Sequence, residues 1–134
     1  LNKYFDVIKN NLTSGGRGAI QAIVIKDELY GRYRNRQDFI QKYIFPGGFL
    51  PCRKDLKNYI DRNDLKIIKY NSYADHYADT LINWSKKFNK EWSLIKDQGF
   101  DLTFKRMWQF YLSYCEAGFK SRNIDLIQFS LCNK

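Results

Sequence analysis

The chain has 134 residues, of which 44% are hydrophobic and 17% aromatic, and its formal net charge is +9. This length fits one domain with a moderate core, and the composition excludes a disordered tail. No apolar run approaches the roughly 18 residues of a membrane span, and no signal peptide is visible. Cys52, Cys115 and Cys132 show neither metal-ligand spacing nor even pairing, so we expect a reduced compartment and no metal site.

The first 26 residues predict a helix, a turn and a strand. Tyr4, Phe5, Ile8 and Leu12 are spaced for one face of a helix over residues 3–12. A glycine cluster over residues 14–18 is unlike a phosphate-binding loop, because it precedes a strand instead of following one. The strand, residues 19–26, is apolar on both sides, which is typical of a sheet covered on both faces.

Both prolines of the chain lie in the next segment. A short helix is predicted over residues 36–44, and Pro46 ends it because a residue before proline avoids helical geometry. The loop that follows carries Phe45, Phe49 and Leu50. Apolar loop residues are costly to leave in water, so we expect them to line an apolar cavity or to plug the core. On these residues alone, a buried connecting loop is the favoured interpretation.

Helices and strands alternate in the rest of the chain. Helices are predicted over residues 52–63 and 76–96, the second ended by Gly99, and strands over 65–73 and 124–131. A further helix begins at the N-cap Asp101 and continues to about residue 122. Two apolar helical stripes run through residues 76–122: Tyr77, Leu81, Trp84, Phe88, Trp92 and Ile95, then Phe104, Trp108, Tyr111, Cys115 and Phe119. Three strands linked by helices indicate an α/β fold, read as the second half of a doubly wound domain.

Four motifs stand in the order and spacing of a known family. They lie at residues 20–25 (IQAIVI), 43–51 (YIFPGGFLP), 76–81 (HYADTL) and 114–119 (YCEAGF). With them the chain resembles the cyclopropane-fatty-acyl-phospholipid synthase family, which includes the mycolic acid cyclopropane synthases. The resemblance covers the chain from about residue 1 to its C-terminus, and it matches only the C-terminal part of the family.

The resemblance implies a fold and a domain organisation. The family has a class I S-adenosylmethionine-dependent methyltransferase fold, which is Rossmann-like, and this chain would supply its last three strands with their flanking helices. Residues 1–134 would then form the C-terminal part of one methyltransferase domain. The glycine-rich loop that binds S-adenosylmethionine would lie in an N-terminal half outside this chain, so we expect the segment alone to be inactive.

The resemblance also implies an activity. The family transfers a methylene to the cis double bond of phospholipid acyl chains, in cyclopropane fatty acid synthesis. The alkene attacks the sulfonium methyl of S-adenosylmethionine, a carbocation forms, and bicarbonate takes the proton so that the ring closes. The implied partners are phospholipid acyl chains at an anionic membrane surface, the missing N-terminal half, and a second copy in a homodimer. The implied location is cytoplasmic, on the inner face of the membrane.

Three residues match the family's bicarbonate site. Gln21 stands where many members have histidine, Ile23 matches a backbone contact, and Tyr77 matches the bicarbonate tyrosine. A glutamine can donate an N–H to an anion but cannot titrate. Taken without the resemblance, Gln21 is an ordinary polar strand residue and Tyr77 a core aromatic. The positions that match the family's acyl cavity are Phe45, Pro46, Leu81, Tyr111, Cys115 and Phe119.

Two other residues invite a chemical role that the sequence does not support. His76, the only histidine, has no second histidine or acid at catalytic spacing and is read as a surface residue or as support for the site. Cys115 has no nearby basic residue to activate it as a nucleophile, so a small buried hydrophobe is favoured. Cys52 replaces the serine usual after Leu-Pro in the family, at a predicted helix cap.

The sequence leaves other functions open. A truncated or split homologue could serve as a non-catalytic lipid-binding or assembly piece, since nothing in the chain resembles a cofactor loop. The positive charge also fits nucleic acid, but the basic residues are scattered and the aromatics lie on helical core stripes. Attraction to anionic phospholipid is the favoured reading of the charge, given the resemblance.

Overall fold

Three strands form one sheet with the last strand of the chain at its centre. A computed structural model describes all residues from Leu1 to Lys134. The strands are β1 (Gly18–Ile25), β2 (Leu65–Ser72) and β3 (Ile124–Asn133), in the order β1-β3-β2. β3 runs antiparallel to both neighbours, so β1 and β2 are parallel to each other. The predicted α/β class with three strands and flanking helices is confirmed.

Helices cover both faces of this sheet. On one face, α1 (Asn2–Asn11) and α3 (Arg53–Arg62) pack on Val24, Leu65 and the odd-numbered residues of β3. On the other face, α4 (Ala74–Lys90) and α6 (Leu102–Lys120) pack on Leu126. Successive strand residues point to opposite faces, which explains why Leu126 and Ile127 belong to different clusters.

The connection between β1 and α3 differs from the prediction. α2 (Asp27–Arg34) was not predicted, and the helix expected over residues 36–44 is a single π-helical turn, Ile40–Ile44. α2 buries no side chain, so it has no apolar stripe to reveal it. Its acids at the start and its arginines at the end instead favour the helix through its dipole.

The π-helical turn is fixed by hydrogen bonds that could not be predicted from its sequence. The N–H of Phe45 donates to the carbonyl of Ile40 at 2.8 Å, a five-residue spacing. Just before it, Asp38 and Gln41 each accept from the other's backbone N–H, at 2.9 and 3.0 Å. These reciprocal bonds satisfy donors that an isolated turn would leave free.

The long helix predicted over residues 76–96 is in fact two helices. α4 ends before Glu91, and α5 (Trp92–Asp97) follows. The buried residues of α4 are Ala74, Ala78, Leu81 and Phe88. Ala78 was absent from the predicted stripe, which consisted of large side chains only. Trp84, expected inside, is about half exposed.

α6 is placed as the sequence predicts. Gly99 has a φ of 97°, which favours glycine, and the Oδ1 of Asp101 accepts from the N–H of Phe104 at 2.8 Å, as an N-cap does. Near the other end, a Cβ on Gly118 would lie 3.0 Å from the side chain of Ile124. The absence of a side chain at Gly118 therefore lets α6 approach β3 closely.

A buried carboxylate ties three elements together. Asp125 in β3 is only 6% exposed. It accepts from the guanidinium of Arg53 at the start of α3 and, at 2.7 Å, from the hydroxyl of Ser72 at the end of β2. Loss of either partner is costly, because it leaves the buried carboxylate short of a hydrogen bond.

The unusual cap of α3 yields a stability prediction. The sulfur of Cys52 accepts from the N–H of Asp55 at 3.5 Å, and Cys52 is buried. Serine is a preferred N-cap, and losing a cap costs about 1 kcal/mol. We expect Cys52→Ala to lower the free energy of unfolding by about that amount and Cys52→Ser to preserve or raise it, measured by urea unfolding. Equal stability of the two variants would show that the cap contributes nothing.

Candidate functional site

Most of the predicted site residues meet where α4 and α6 cross the sheet. Tyr77, Tyr111, Cys115 and Phe119 belong to one apolar cluster, which also includes Ile23 of β1. The ring of Tyr77 lies 4.8 Å from that of Phe119. Tyr111, Cys115 and Phe119 are four residues apart, so they lie along one face of α6. The two helical stripes predicted from the sequence thus pack against each other.

Burial keeps the polar atoms of this cluster neutral. It raises the pKa of Tyr111 to about 12 and that of Cys115 to about 11. The pKa of Tyr77 is also raised, first by burial and then by the neighbouring Cys115 thiol. Around neutral pH the cluster therefore offers two phenols as hydrogen-bond donors and a protonated thiol. A thiol in this state is a poor nucleophile.

The loop over residues 45–50 lies beside the cluster, but it is not buried. Phe45 packs edge-on against Tyr111, with ring centroids 6.1 Å apart, yet it is 54% exposed. Phe49 packs between Tyr30 and Tyr33 and is also about half exposed. Neither ring plugs the core, since about half of each is exposed, and their role in lining an apolar cavity stays a prediction. Pro46 is exposed at the surface.

Gln21 and Ile23 lie two residues apart on β1 and so face the same side of the sheet. Ile23 packs against the cluster, whereas Gln21 is exposed. The Nε2 of Gln128 donates to the Oε1 of Gln21 at 2.8 Å. This leaves the amide N–H groups of Gln21 as the donors it can offer to an anion.

Gln21 belongs to a polar row that sequence reasoning missed. It pairs with Gln128 in the β1–β3 ladder, and Gln128 pairs with Asn71 in the β2–β3 ladder. The signal was a glutamine within the apolar run of β3. Its partners follow only from the strand register, which the sequence does not reveal.

Leu81 and His76 have opposite environments. Leu81 is 1% exposed and lies in the core between α4 and α6. Its role in lining an acyl cavity stays a prediction. His76 is exposed and its ring lies 5.9 Å from that of Tyr73, which places it at the surface.

Two clefts of the surface are lined by none of Tyr77, Tyr111, Cys115 and Phe119. One, of about 260 Å³, is lined by Trp84, Lys87, Phe88, Glu91 and Ile95. The other, of about 420 Å³, is lined by Arg34, Asn35, Arg36, Gln37, Gln41, Gly47, Gly48 and Phe49. The second borders the loop that carries Phe45, and hence the open side of the site.

The residues of this chain do not fit a cofactor or a metal by themselves. The glycines of residues 14–18 lie between α1 and β1, whereas a cofactor loop follows a strand and opens a helix. No group of three His, Cys, Asp or Glu side chains is placed to hold a metal ion. None of the helices has the length and apolar character needed to span a bilayer.

Known proteins match nearly the whole length of this chain. The family model of mycolic acid cyclopropane synthetase matches residues 1–129. A tuberculostearic acid methyltransferase of Mycobacterium tuberculosis is 38% identical over 130 residues, 96% of this chain and 30% of that protein. The cyclopropane-fatty-acyl-phospholipid synthase of Escherichia coli is 33% identical over 125 residues, 93% of this chain and 31% of that protein.

Solved structures share the fold. The cyclopropane synthase MmaA2 of Mycobacterium tuberculosis has a TM-score of 0.84 at 22% identity, covering 97% of this chain and 48% of that one. Mycolic acid cyclopropane synthase CmaA1, solved with SAH and CTAB, has a TM-score of 0.81 at 24% identity, covering 99% and 49%. The chain thus spans about a third of these curated relatives and about half of the solved chains. It belongs to the mycolic acid cyclopropane synthetase family.

Proposed function

We propose that this chain is the acyl-binding part of an S-adenosylmethionine-dependent methyltransferase. In its complete form, the protein transfers a methylene to the cis double bond of a phospholipid acyl chain. The single observation that carries this proposal is the cluster of Tyr77, Tyr111, Cys115 and Phe119. It offers an apolar wall with phenol donors and no ionised group. The relatives named for fatty acyl and phospholipid substrates support the choice of substrate.

The same wall suits a reaction that develops positive charge on a hydrocarbon. Aromatic rings present a negative face to a cation, and Tyr77 and Phe119 stand side by side. Water would compete as a nucleophile for the carbocation, so apolar surroundings protect the carbocation by excluding water. Cys115 contributes packing and not a covalent bond, because its thiol is protonated near neutral pH.

Tyr77 and Gln21 are the residues of this chain that would hold bicarbonate. The Tyr77 hydroxyl is a donor at the cluster, and the amide N–H groups of Gln21 remain as donors because its oxygen accepts from Gln128. Ile23 lies between them in the chain and contributes a backbone contact. Bound there, bicarbonate would supply a base for the proton that leaves when the ring closes.

We also propose that residues 1–134 are the C-terminal part of one larger domain, whose other half binds S-adenosylmethionine. Only 19 of the 134 residues are buried, while large apolar side chains such as Leu1, Val7 and Leu94 are exposed. β1 is an edge strand without a single charged residue, whereas edges that face water usually carry charge. The other edge strand, β2, does carry lysines.

The proposed setting is the inner, cytoplasmic face of an anionic membrane, where the net charge of +9 attracts the chain to phospholipid. A non-catalytic lipid-binding or assembly piece is the competing function. It differs from the enzyme in one measurable way, which is the absence of any modified lipid.

The direct test is mass spectrometry of membrane lipids from cells that express the complete open reading frame. We expect unsaturated phospholipids to gain the mass of one methylene. Cells that express residues 1–134 alone are the control and should show no gain, since this segment lacks a cofactor loop. No modified lipid with the complete protein would support the competing function, and product from the segment alone would refute the division of roles.

A double-mutant cycle tests the anion site in the complete protein. Tyr77→Phe removes one oxygen and leaves the packing intact, so the loss should fall on turnover. Losing one such donor costs on the order of 10²-fold in other oxyanion sites. Gln21→Ala should act in the same direction, and the pair should be less than additive if both serve one anion.

Turnover is measured for the two single variants and the double variant at several bicarbonate concentrations. Gln128→Ala is a useful comparison, because it removes the neighbour that orients Gln21 but no proposed donor. Wild-type turnover by Tyr77→Phe at limiting bicarbonate would reduce Tyr77 to a core aromatic.

A further inference from the structure

An exposed aromatic group lies on the outer side of α6, beside the site. Phe39 packs against Phe110 with ring centroids 4.6 Å apart, and against Tyr43 at 5.4 Å. Phe110 in turn stacks on Tyr114 at 5.9 Å. Tyr43, Phe110 and Tyr114 are each between 44% and 53% exposed. Large aromatic rings in contact with each other and with solvent mark a surface that binds something.

Basic side chains border this aromatic group. Lys42 lies 5.0 Å from the ring of Tyr43. Arg34 and Arg36 line the cleft of about 420 Å³ together with Gln41 and the Gly47-Gly48 backbone. Gln41 holds the cleft in shape, since its Nε2 donates to the carbonyl of Gly48 at 3.1 Å.

The charge of this cleft is not neutralised within the chain. Arg34 and Arg36 take part in none of the six ion pairs of the structure. The neighbouring acid, Asp38, forms no ion pair with either arginine; it accepts from the N–H of Gln41 at 2.9 Å and from the hydroxyl of Tyr114 at 3.5 Å. The arginines are therefore available to an external anion.

We propose that this face docks on an anionic phospholipid bilayer, with Arg34 and Arg36 on lipid phosphates and Phe39, Tyr43, Phe110 and Tyr114 in the interfacial layer. We call these six residues the docking face. Arginine binds phosphate through paired hydrogen bonds, and aromatic side chains favour the membrane interface. The inference rests on the proposed function, because only a lipid substrate requires a membrane contact here.

The docking face lies next to the proposed acyl-binding site. Gln41 of the cleft and Tyr43 of the aromatic group share the π-helical turn that leads into Phe45, and Phe45 packs on Tyr111 of the cluster. A lipid whose phosphate is held at the cleft would have its acyl chains close to Phe45. Docking and acyl binding are thus adjacent steps on one surface.

Vesicle sedimentation of the complete protein tests this proposal. The vesicles contain phosphatidylglycerol and phosphatidylethanolamine, with phosphatidylcholine vesicles for comparison. The double variant Arg34→Gln, Arg36→Gln should bind the anionic vesicles about tenfold more weakly or worse, since each basic residue near such a surface contributes severalfold. The matched control is Lys86→Gln, Lys90→Gln, which removes the same charge from the exposed side of α4 and should bind nearly as wild type.

A second pair of variants tests the aromatic part. Tyr43→Ser should weaken binding severalfold, while Tyr4→Ser should not, although Tyr4 and Tyr43 are 51% and 53% exposed. Equal binding by each variant and its control would overturn the proposal. So would a dimer that Tyr43→Ser dissociates while vesicle binding persists, which would assign the face to a second copy.

The failure of this proposal is separable from failure of the proposed function. Sedimentation needs no turnover. If the protein modifies lipid in cells but its Arg34→Gln, Arg36→Gln variant still binds vesicles, only the docking proposal is refuted. If the protein binds vesicles as described but modifies no lipid, the docking proposal stands and the proposed enzymatic function is refuted.

Discussion

The packing of α4 on α6 is the contact on which the rest of this structure depends. It places Leu81 and Leu112 in a shared core with Leu126 of the central strand, and it brings Tyr77 within 4.8 Å of Phe119. Gly118 allows α6 to lie close to β3 at one end, and Asp101 caps the helix at the other. The direction of every site residue on these helices follows from this contact.

The central strand connects that layer to the opposite one. Residues of β3 alternate between the two clusters, so any shift of register would exchange their apolar sets. Asp125 restrains the strand further, because Arg53 and Ser72 bind its carboxylate from two different elements. The polar row of Gln21, Gln128 and Asn71 depends on the same register.

The regular part of the fold could be predicted from the sequence, because its signals are local. Gly99 and Asp101 bound a helix by backbone geometry and capping, and four-residue spacing places Tyr111, Cys115 and Phe119 on one face. α2 could not be predicted, since it buries nothing. Nor could the π-helical turn, which depends on the pairing of Asp38 with Gln41.

The site was predictable only as far as helical periodicity reaches. The convergence of Tyr77 with Phe119 follows from two apolar stripes, whereas the partner of Gln21 required the strand register. The exposure of Phe45 could not be predicted, because the sequence of an apolar loop does not show what covers it. Apolar residues that bind a lipid or another part of the protein show the same sequence pattern as residues buried in a core.

The central proposal is that an acyl chain lies against Phe45 and the Tyr77–Cys115 cluster. The most direct measurement uses the complete protein and phospholipid vesicles whose acyl chains carry a photoreactive diazirine at the position of the double bond. After irradiation, the labelled peptides are identified by mass spectrometry. The account predicts labels in residues 111–119 and 45–50, which an excess of unmodified unsaturated phospholipid should remove. Labels confined to α1 and α3, on the opposite face of the sheet, would contradict it.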